Sequence, residues 1–169
     1  MFTDEQLGVA GDVLDACRAE GLKLATAESC TGGLIAGCLT AVAGSSDIVD
    51  RGFITYTNQA KSELLGVAPK LFETKGAVSE EVARAMAEGA LKYSSAQISV
   101  AVTGIAGPGG GTPDKPVGLV HIACASNGVE TLHEKHIFEG DREAVRGQSV
   151  LAALKLLTRL VEQAPISLV

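Results

Sequence analysis

The sequence predicts a single α/β domain with three α/β/α layers, built on a mixed, mostly parallel sheet that contains one antiparallel hairpin. Segments with helical periodicity alternate with short apolar segments typical of strands along residues 1–169, without a linker or internal repeat. The dipeptide at 127–128, Asn-Gly, is typical of a two-residue hairpin turn, so at least one strand pair is antiparallel. With 169 residues, 46% of them hydrophobic, the chain is large enough for one core.

The N-terminal part of the chain predicts a helix, a strand and a second helix. Thr3 and Gln6 have the spacing of a capping box, and the apolar residues that follow recur at helical spacing until Gly21. Residues 23–27 are typical of a short buried strand. We expect the second helix to open directly after this strand, at Ser29. Its apolar stripe consists of Leu34, Ile35, Cys38, Leu39 and Val42.

The middle of the chain predicts two further strands and two further helices. Residues 49–56 contain β-branched and aromatic residues and indicate a strand, after which Asn58 is expected to cap a helix that runs to Leu65. Ser79 opens another helix. The apolar face of that helix contains Val82, Met86 and Ala90. Residues 98–103 form a short apolar segment that indicates a buried strand.

The C-terminal part predicts the hairpin and a last helix. The Asn-Gly turn separates strands over 117–126 and 129–138, and Asp141 is expected to cap the helix that follows. The apolar residues of that helix include Ala144, Val145, Ala152, Leu156 and Leu160. The expected cross-strand neighbours are His121 with Glu134 and His133 with Ile122. These histidines are interpreted as residues on the faces of the sheet, with a catalytic histidine as the alternative.

Composition excludes several classes of protein. The formal net charge of −6 argues against a general nucleic-acid binder, and the longest nearly apolar run, 34–44, is too short to span a membrane. The N-terminus has no basic segment followed by an apolar one, so a cytoplasmic protein is expected. The four cysteines, Cys17, Cys30, Cys38 and Cys124, and the three histidines show no metal-ligand spacing. We therefore expect no metal, no cofactor and no disulfide.

The most informative segment is 27–33, AESCTGG, at the expected junction of strand and helix. Unpaired N–H groups at a helix N-terminus stabilise negative charge, so a nucleophile there would have an oxyanion site beside it. Gly32 leaves room for a ligand. Ser29 has an alternative role as an ordinary helix cap, and Cys30 and Thr31 are also candidate nucleophiles. Spacing does not decide among the three.

A second candidate group lies at 56–61. If Asn58 caps the helix, Lys61 lies in the first turn, where the helix dipole opposes an ammonium charge. A partly buried lysine there would have a lowered pKa and could serve as a base, paired with a serine. Tyr56 could hydrogen-bond the same cluster. The alternative for Lys61 is a solvated helix residue.

Two further segments are candidates for substrate binding. Residues 103–111 are rich in glycine but lack the lysine of a Walker loop, so they are either a flexible loop or a backbone wall beside a ligand. The residues of this wall are Thr103, Gly104 and Gly107. Arg142 and Arg146 lie one turn apart near the start of the last helix. They either face solvent or bind a phosphate.

Six motifs in order resemble one known family. They are 27–33 (AESCTGG), 52–61 (GFITYTNQAK), 76–80 (GAVSE), 103–108 (TGIAGP), 115–118 (KPVG) and 140–142 (GDR). Together they resemble the CinA C-terminal domain family, whose enzymatic members are nicotinamide-nucleotide amidohydrolases. The resemblance runs from about Leu7 to Leu157 and favours the stand-alone form, without the N-terminal domain of the longer CinA proteins.

The resemblance implies a reaction and its residues. It implies metal-free hydrolysis of nicotinamide mononucleotide (NMN) to nicotinate mononucleotide and ammonia, with Ser29 as nucleophile, Lys61 as base and Tyr56 assisting. For this reaction we expect the N–H groups of Cys30 and Thr31 to hold the oxyanion. The resemblance also implies a homodimer or higher homo-oligomer, and a role in pyridine nucleotide recycling. The alternative function is a non-catalytic interaction module associated with competence or recombination proteins.

Overall fold

The computed structural model describes residues 1–163, so the last six residues of the expected domain lie outside it. In chain order the elements are α1 (Asp4–Glu20), β1 (Leu24–Glu28), α2 (Leu34–Thr40), a 3₁₀ turn (Ser45–Asp47), β2 (Val49–Ile54), α3 (Asn58–Leu65), α4 (Pro69–Thr74), α5 (Glu80–Lys92), β3 (Ile98–Gly104), β4 (Leu119–Ser126), β5 (Val129–Ile137) and α6 (Arg142–Gln163). The sequence predicted all of these except α4 and the 3₁₀ turn.

The five strands form one sheet in the order β2-β1-β3-β4-β5. β1 pairs in parallel with both β2 and β3, whereas β4 is antiparallel to β3 and to β5. Four of these five strands therefore run in one direction and β4 runs in the other. The predicted mixed, mostly parallel sheet with one antiparallel hairpin is confirmed.

Helices cover both faces of the sheet and complete the three predicted layers. α1, α2 and α6 pack on one face, against the large aliphatic side chains of the strands, such as Leu24, Val100 and Ile122. On the other face the same strands present small side chains to α5, such as Ala25 and Ala101. Because side chains alternate along a strand, each central strand fills both cores with one run of apolar residues. No helix within residues 1–163 is both long and apolar enough to cross a membrane.

The second helix begins later than the sequence predicted. α2 starts at Leu34, five residues after Ser29, and its N-cap is Gly33. Gly32 and Gly33 have positive φ angles of 59° and 101°, which glycine adopts at no steric cost. The N–H of Gly32 donates to the carbonyl of Ser29 (3.0 Å) and closes a turn between β1 and α2. Ser29 is therefore not the helix cap.

The start of α3 was predicted to within one residue, and the cap of α6 was predicted correctly. α3 is capped by Thr57, whose hydroxyl accepts from the N–H of Ala60, so the cap lies one residue before the expected Asn58. Lys61 still lies at the start of this helix. Asp141 caps α6 as predicted, because its carboxylate accepts from the N–H of Ala144 (2.9 Å).

The register of the hairpin differs from the prediction by one residue. His121 lies opposite Lys135, and His133 lies opposite Ala123. A bulge between Cys124 and Ser126 shifts the pairing, since β5 has one more residue than β4 in this stretch. The turn itself is where the sequence placed it, and both histidines lie on the same face of the sheet.

Candidate active site

The ends of three parallel strands meet beside one cavity of about 300 Å³. Ser29 follows β1, Tyr56 follows β2, and Thr103 ends β3. The carboxyl ends of parallel strands are the usual location of ligand sites in α/β sheets. The cavity is lined by Ser29, Cys30, Tyr56, Asn58, Lys61, Ala77, Val78, Thr103–Gly107, Gly109, Gly110 and Arg142. Five chain segments that are distant in sequence thus form one site.

Ser29 and Lys61 form a direct pair at this cavity. Lys61 Nζ lies 3.0 Å from Ser29 Oγ, and the lysine is only 1% exposed. The same nitrogen lies 2.9 Å from the carbonyl oxygen of Thr55 and 3.3 Å from that of Tyr56. A neutral amine has two N–H groups and one lone pair. When the two carbonyls accept the N–H groups, the lone pair remains for the Ser29 hydroxyl.

Burial changes the charge state of this lysine. It lowers the pKa of Lys61 from 10.5 to about 8, because the ammonium group loses its hydration in the interior. A substantial fraction of Lys61 is therefore neutral near pH 8. Within residues 1–163 the amine has no salt-bridge partner. Because Lys61 is buried, the alternative of a solvated helix residue is excluded. The arrangement can remove a proton from Ser29.

The two other candidate nucleophiles are occupied or inert. Cys30 is buried, and burial raises the pKa of its thiol to about 11, so the reactive thiolate is rare at neutral pH. The Thr31 hydroxyl donates to the carboxylate of Glu28 (2.6 Å). Of the three adjacent side chains, Ser29 is the one that is hydrogen-bonded to Lys61.

The N–H groups of Cys30 and Thr31 are the central donors of the turn that begins at Ser29. The turn itself uses only the N–H of Gly32. Within residues 1–163 neither central N–H donates to a backbone or side-chain oxygen of another residue. Two adjacent backbone donors beside a serine hydroxyl are the composition of an oxyanion hole.

Arg142 connects two sides of the cavity. Its guanidinium donates to the carbonyl of Gly107 (2.8 Å) and to the hydroxyl of Tyr56 (2.9 Å). Tyr56 is 57% exposed, and within the described part of the chain its hydroxyl has no hydrogen bond to Ser29 or Lys61. Its backbone carbonyl, rather than its ring, contacts the lysine.

The glycine-rich segment forms one wall of the cavity, as the second interpretation of it predicted. The Thr103 hydroxyl donates to the carbonyl of Ala77 (2.8 Å), which joins this wall to the segment before α5. A Cβ at Gly104 would lie 2.7 Å from a methyl group of Val120, and one at Gly107 would lie 2.5 Å from a methyl group of Val117. Both glycines are therefore required by close packing.

Arg146 lies near Ser29 but does not line its cavity. Its guanidinium donates to the carbonyls of Cys30 (3.1 Å) and Thr31 (3.3 Å). It lines a separate cavity of about 580 Å³ that is bounded by α1, α2 and α6. Arg142 lines this larger cavity as well, but of the two arginines only Arg142 also lines the cavity of Ser29.

Sequence similarity relates this chain to a known family. The CinA C-terminal domain matches residues 7–161. This chain belongs to the CinA C-terminal domain family. A stand-alone relative from Enterobacter agglomerans, named nicotinamide-nucleotide amidohydrolase PncC, is 50% identical over 144 residues, which cover 85% of this chain and 88% of that protein.

Other members of the family are longer or carry different names. A CinA-like protein from Syntrophobacter fumaroxidans is 53% identical over 85% of this chain, but this chain spans only 34% of that protein. The crystal structure of the competence/damage inducible protein CihA from Agrobacterium tumefaciens is 48% identical, with a TM-score of 0.93 over 96% of this chain and 99% of that one. The fold is therefore that of the family.

Glu28 is a residue of this site to which the sequence reasoning gave no role. It is 1% exposed and accepts hydrogen bonds from the Thr31 hydroxyl and from the N–H groups of Ile35 (2.9 Å) and Ala36 (3.1 Å). It thereby caps α2, whose N-cap Gly33 has no side chain. A buried carboxylate requires hydrogen-bond donors. An acidic residue at the end of an apolar strand was therefore the signal in the sequence that Glu28 binds nearby donors.

Proposed function

We propose that this protein hydrolyses the carboxamide of NMN to give nicotinate mononucleotide and ammonia. The observation that carries the proposal is the pairing of Ser29 with a buried lysine, with Nζ 3.0 Å from Oγ, at the floor of a cavity. The name and 50% identity of the stand-alone relative support the choice of substrate. Pyridine nucleotide recycling would be the cellular role.

The first half of the reaction forms an ester with the enzyme. Neutral Lys61 takes the proton of the Ser29 hydroxyl while Oγ attacks the carboxamide carbon. The carbonyl oxygen becomes an oxyanion and accepts hydrogen bonds from the N–H groups of Cys30 and Thr31. Lys61 then gives its proton to the amide nitrogen. The carbon–nitrogen bond breaks, ammonia leaves, and the nicotinoyl group remains on Ser29.

The second half releases the product. A water molecule takes the place of ammonia, and Lys61 removes one of its protons as the oxygen attacks the ester. The same two N–H groups hold the second oxyanion. When it collapses, the proton returns to Ser29 Oγ and nicotinate mononucleotide leaves. Each residue is restored to its starting state, so the reaction consumes only NMN and water.

The remaining polar groups of the cavity fit the nucleotide part of NMN. Arg142 contacts only neutral acceptors, Gly107 and Tyr56, and forms no salt bridge within residues 1–163. Its charge remains available for a phosphate, and the exposed ring of Tyr56 beside it offers an aromatic face for the cationic pyridinium ring. Tyr56 would thus assist by binding and by holding Arg142. The backbone wall at Thr103 and Gly104 would line the ribose side.

A non-catalytic interaction module is the second candidate, because relatives bear the name competence/damage inducible protein. Burial of an unpaired lysine beside a serine lowers stability, and a docking surface would not require it.

A homodimer stays a prediction, which light scattering at assay concentration would test. If neighbouring chains share the site, dilution to monomers should abolish turnover.

The deciding experiment incubates the purified protein with NMN and measures ammonia and nicotinate mononucleotide. Equal amounts of both products are expected. Nicotinamide and nicotinamide riboside serve as comparison amides. Turnover of another amide with none of NMN would overturn the substrate assignment, whereas no turnover of any amide would favour the interaction module.

A further inference from the structure

The guanidinium of Arg146 is hydrogen-bonded to backbone carbonyls. It reaches from α6 to the turn after β1, where Nε donates to the carbonyl of Cys30 and Nη2 donates to that of Thr31. Within residues 1–163 no carboxylate forms a salt bridge with it. A half-buried guanidinium that bonds two successive carbonyls fixes the orientation of two successive peptide groups.

The planarity of the peptide bond carries this effect to the N–H groups. In a trans peptide the C=O and the N–H of one unit point in opposite directions. The carbonyl of Cys30 shares its unit with the N–H of Thr31, so the bond to Arg146 directs that N–H away from the arginine. The carbonyl of Thr31 shares its unit with the N–H of Gly32, which donates to the carbonyl of Ser29 (3.0 Å). Arg146 thus also supports the bond that closes the turn.

Arg146 and Ser29 line separate cavities. Arg146 lines the cavity of about 580 Å³ with Phe2, Leu34 and Val150, whereas Ser29 lines the other one, and Arg142 lines both. The Thr31 N–H, on the opposite side of its peptide unit from the bound carbonyl, does not face the Arg146 guanidinium. A cation on the carbonyl also polarises the peptide and strengthens its N–H as a donor.

We propose that Arg146 is a positioning residue that orients and polarises the Thr31 N–H, one of the two proposed oxyanion donors of the turn. Glu28 holds the same turn from its other end, through the Thr31 hydroxyl. The inference rests on the proposed function for its kinetic consequence. Without Arg146 the peptide between Cys30 and Thr31 can rotate, and the hole loses a donor. We therefore assign positioning, rather than phosphate binding, to Arg146. Phosphate binding is assigned to Arg142 alone.

The kinetic test uses Arg146→Ala and Arg146→Lys. Loss of one oxyanion donor lowers kcat by about 10²–10³-fold, and a misdirected donor should lower it by roughly 10–100-fold. KM for NMN should stay nearly constant. Lysine cannot bond both carbonyls with fixed geometry, so Arg146→Lys should restore only part of kcat. Free guanidinium should partly rescue Arg146→Ala, because the larger cavity gives access to the vacated position.

The matched control is Arg159→Ala. Arg159 is an arginine on the same helix that pairs with Glu134 instead. Its replacement should leave kcat unchanged, and guanidinium should have no rescuing effect. A merely structural role for Arg146 predicts a lower melting temperature without rescue, which would overturn the proposal. A raised KM for NMN, with kcat intact and no change for the riboside, would also overturn it by assigning Arg146 to the phosphate.

A second readout does not depend on turnover. The crystal structure of Arg146→Lys, the milder variant, should show the peptide between Cys30 and Thr31 rotated or in two orientations. An unchanged peptide orientation would overturn the proposal even if the protein hydrolyses no amide. Conversely, if the wild type fails to hydrolyse NMN but the peptide rotates in the variant, the proposed function fails and the positioning role stands.

Discussion

Two buried polar clusters within residues 1–163 contain groups whose pKa values are lowered by burial, and the two clusters differ in the neighbours of those groups. At the carboxyl ends of the parallel strands, Lys61 contacts a free hydroxyl, Ser29, beside two N–H donors that the turn leaves unused. On the antiparallel hairpin, His121 Nδ1 lies 2.9 Å from His133 Nε2, and the other ring nitrogen of His133 lies 3.6 Å from Glu80. Within residues 1–163 neither histidine of this pair is hydrogen-bonded to a hydroxyl or a thiol.

The difference shows that a shifted pKa needs a suitable neighbour before it has catalytic value. Burial lowers the pKa of His121 to about 4 and lowers the pKa of Lys61 to about 8. The histidine pair uses its ring nitrogens to join β4 to β5 and to the start of α5. The lysine keeps a lone pair directed at a hydroxyl. The histidine pair should therefore govern stability, and the cluster of Ser29 and Lys61 should govern turnover.

The largest expected effect is that of Ser29→Ala. Removal of the nucleophile of a covalent mechanism should lower kcat for NMN by at least about 10⁴-fold, because water alone must then attack the amide. Ammonia release measures this. The matched control is Cys30→Ala at the adjacent position, which should retain a measurable rate. If Cys30→Ala were inactive and alkylation of Cys30 tracked the loss of activity, the thiol would be the nucleophile.

The next effect is that of the base. Lys61→Arg should lower kcat by roughly 10²–10⁴-fold, because a guanidinium stays protonated and cannot accept the serine proton. In the wild type, kcat/KM should rise with pH and level off above about pH 8, since the neutral amine is the active form and its pKa is about 8. A pH-independent rate in the wild type, or full activity in Lys61→Arg, would remove Lys61 from the mechanism.

A smaller effect is expected at the rim of the cavity. Arg142→Ala should raise KM for NMN by roughly 10-fold and should change the kinetics of the phosphate-free riboside much less, because a charge-assisted pair with phosphate contributes about 1.5–3 kcal/mol. Steady-state kinetics with both substrates measure the difference. Equal losses with both would instead indicate that the bonds from Arg142 to Tyr56 and Gly107 support the wall of the site.

The smallest effect on turnover is expected at the histidine pair. His121→Gln should leave kcat for NMN at pH 8 unchanged, because His121 does not line the cavity of Ser29. Stability should respond instead. The folded-state pKa of His121 lies below its unfolded value, so the wild type should lose stability as pH falls from about 6.5 to 4. Urea unfolding across that range should show a weaker pH dependence in the variant, and lost turnover would contradict the comparison.

Much of this architecture could be predicted because the signals are local. The Asn-Gly turn, the capping box at Thr3 and the cap at Asp141 each depend on residues within a few positions. The start of α2 could not, because the positive φ angles at Gly32 and Gly33 and the capping carboxylate of Glu28 depend on the packing of the turn. The shifted hairpin register depends on a bulge for which the sequence has no distinct signal.

Several residues that line the cavity could be predicted from the sequence, but the contacts among them could not. Ser29, Lys61 and Arg142 belong to motifs that resemble one family, and the structure places them around one cavity. That Tyr56 contacts Arg142 rather than Ser29 depends on how α6 packs beside the strand ends. The different contacts of Arg142 and Arg146 have the same origin, since Arg146, one helical turn further along, donates to the carbonyls of Cys30 and Thr31 instead.

The most direct test of the pairing of Ser29 with Lys61 is to map the covalent intermediate. Wild-type protein is mixed with NMN, quenched in acid within the first turnover, digested and analysed by mass spectrometry. The nicotinoyl nucleotide should be attached to the peptide that contains Ser29, and the adduct should be absent in Ser29→Ala and formed far more slowly in Lys61→Arg. An adduct on Cys30, or rapid product formation by Ser29→Ala, would contradict the assignment.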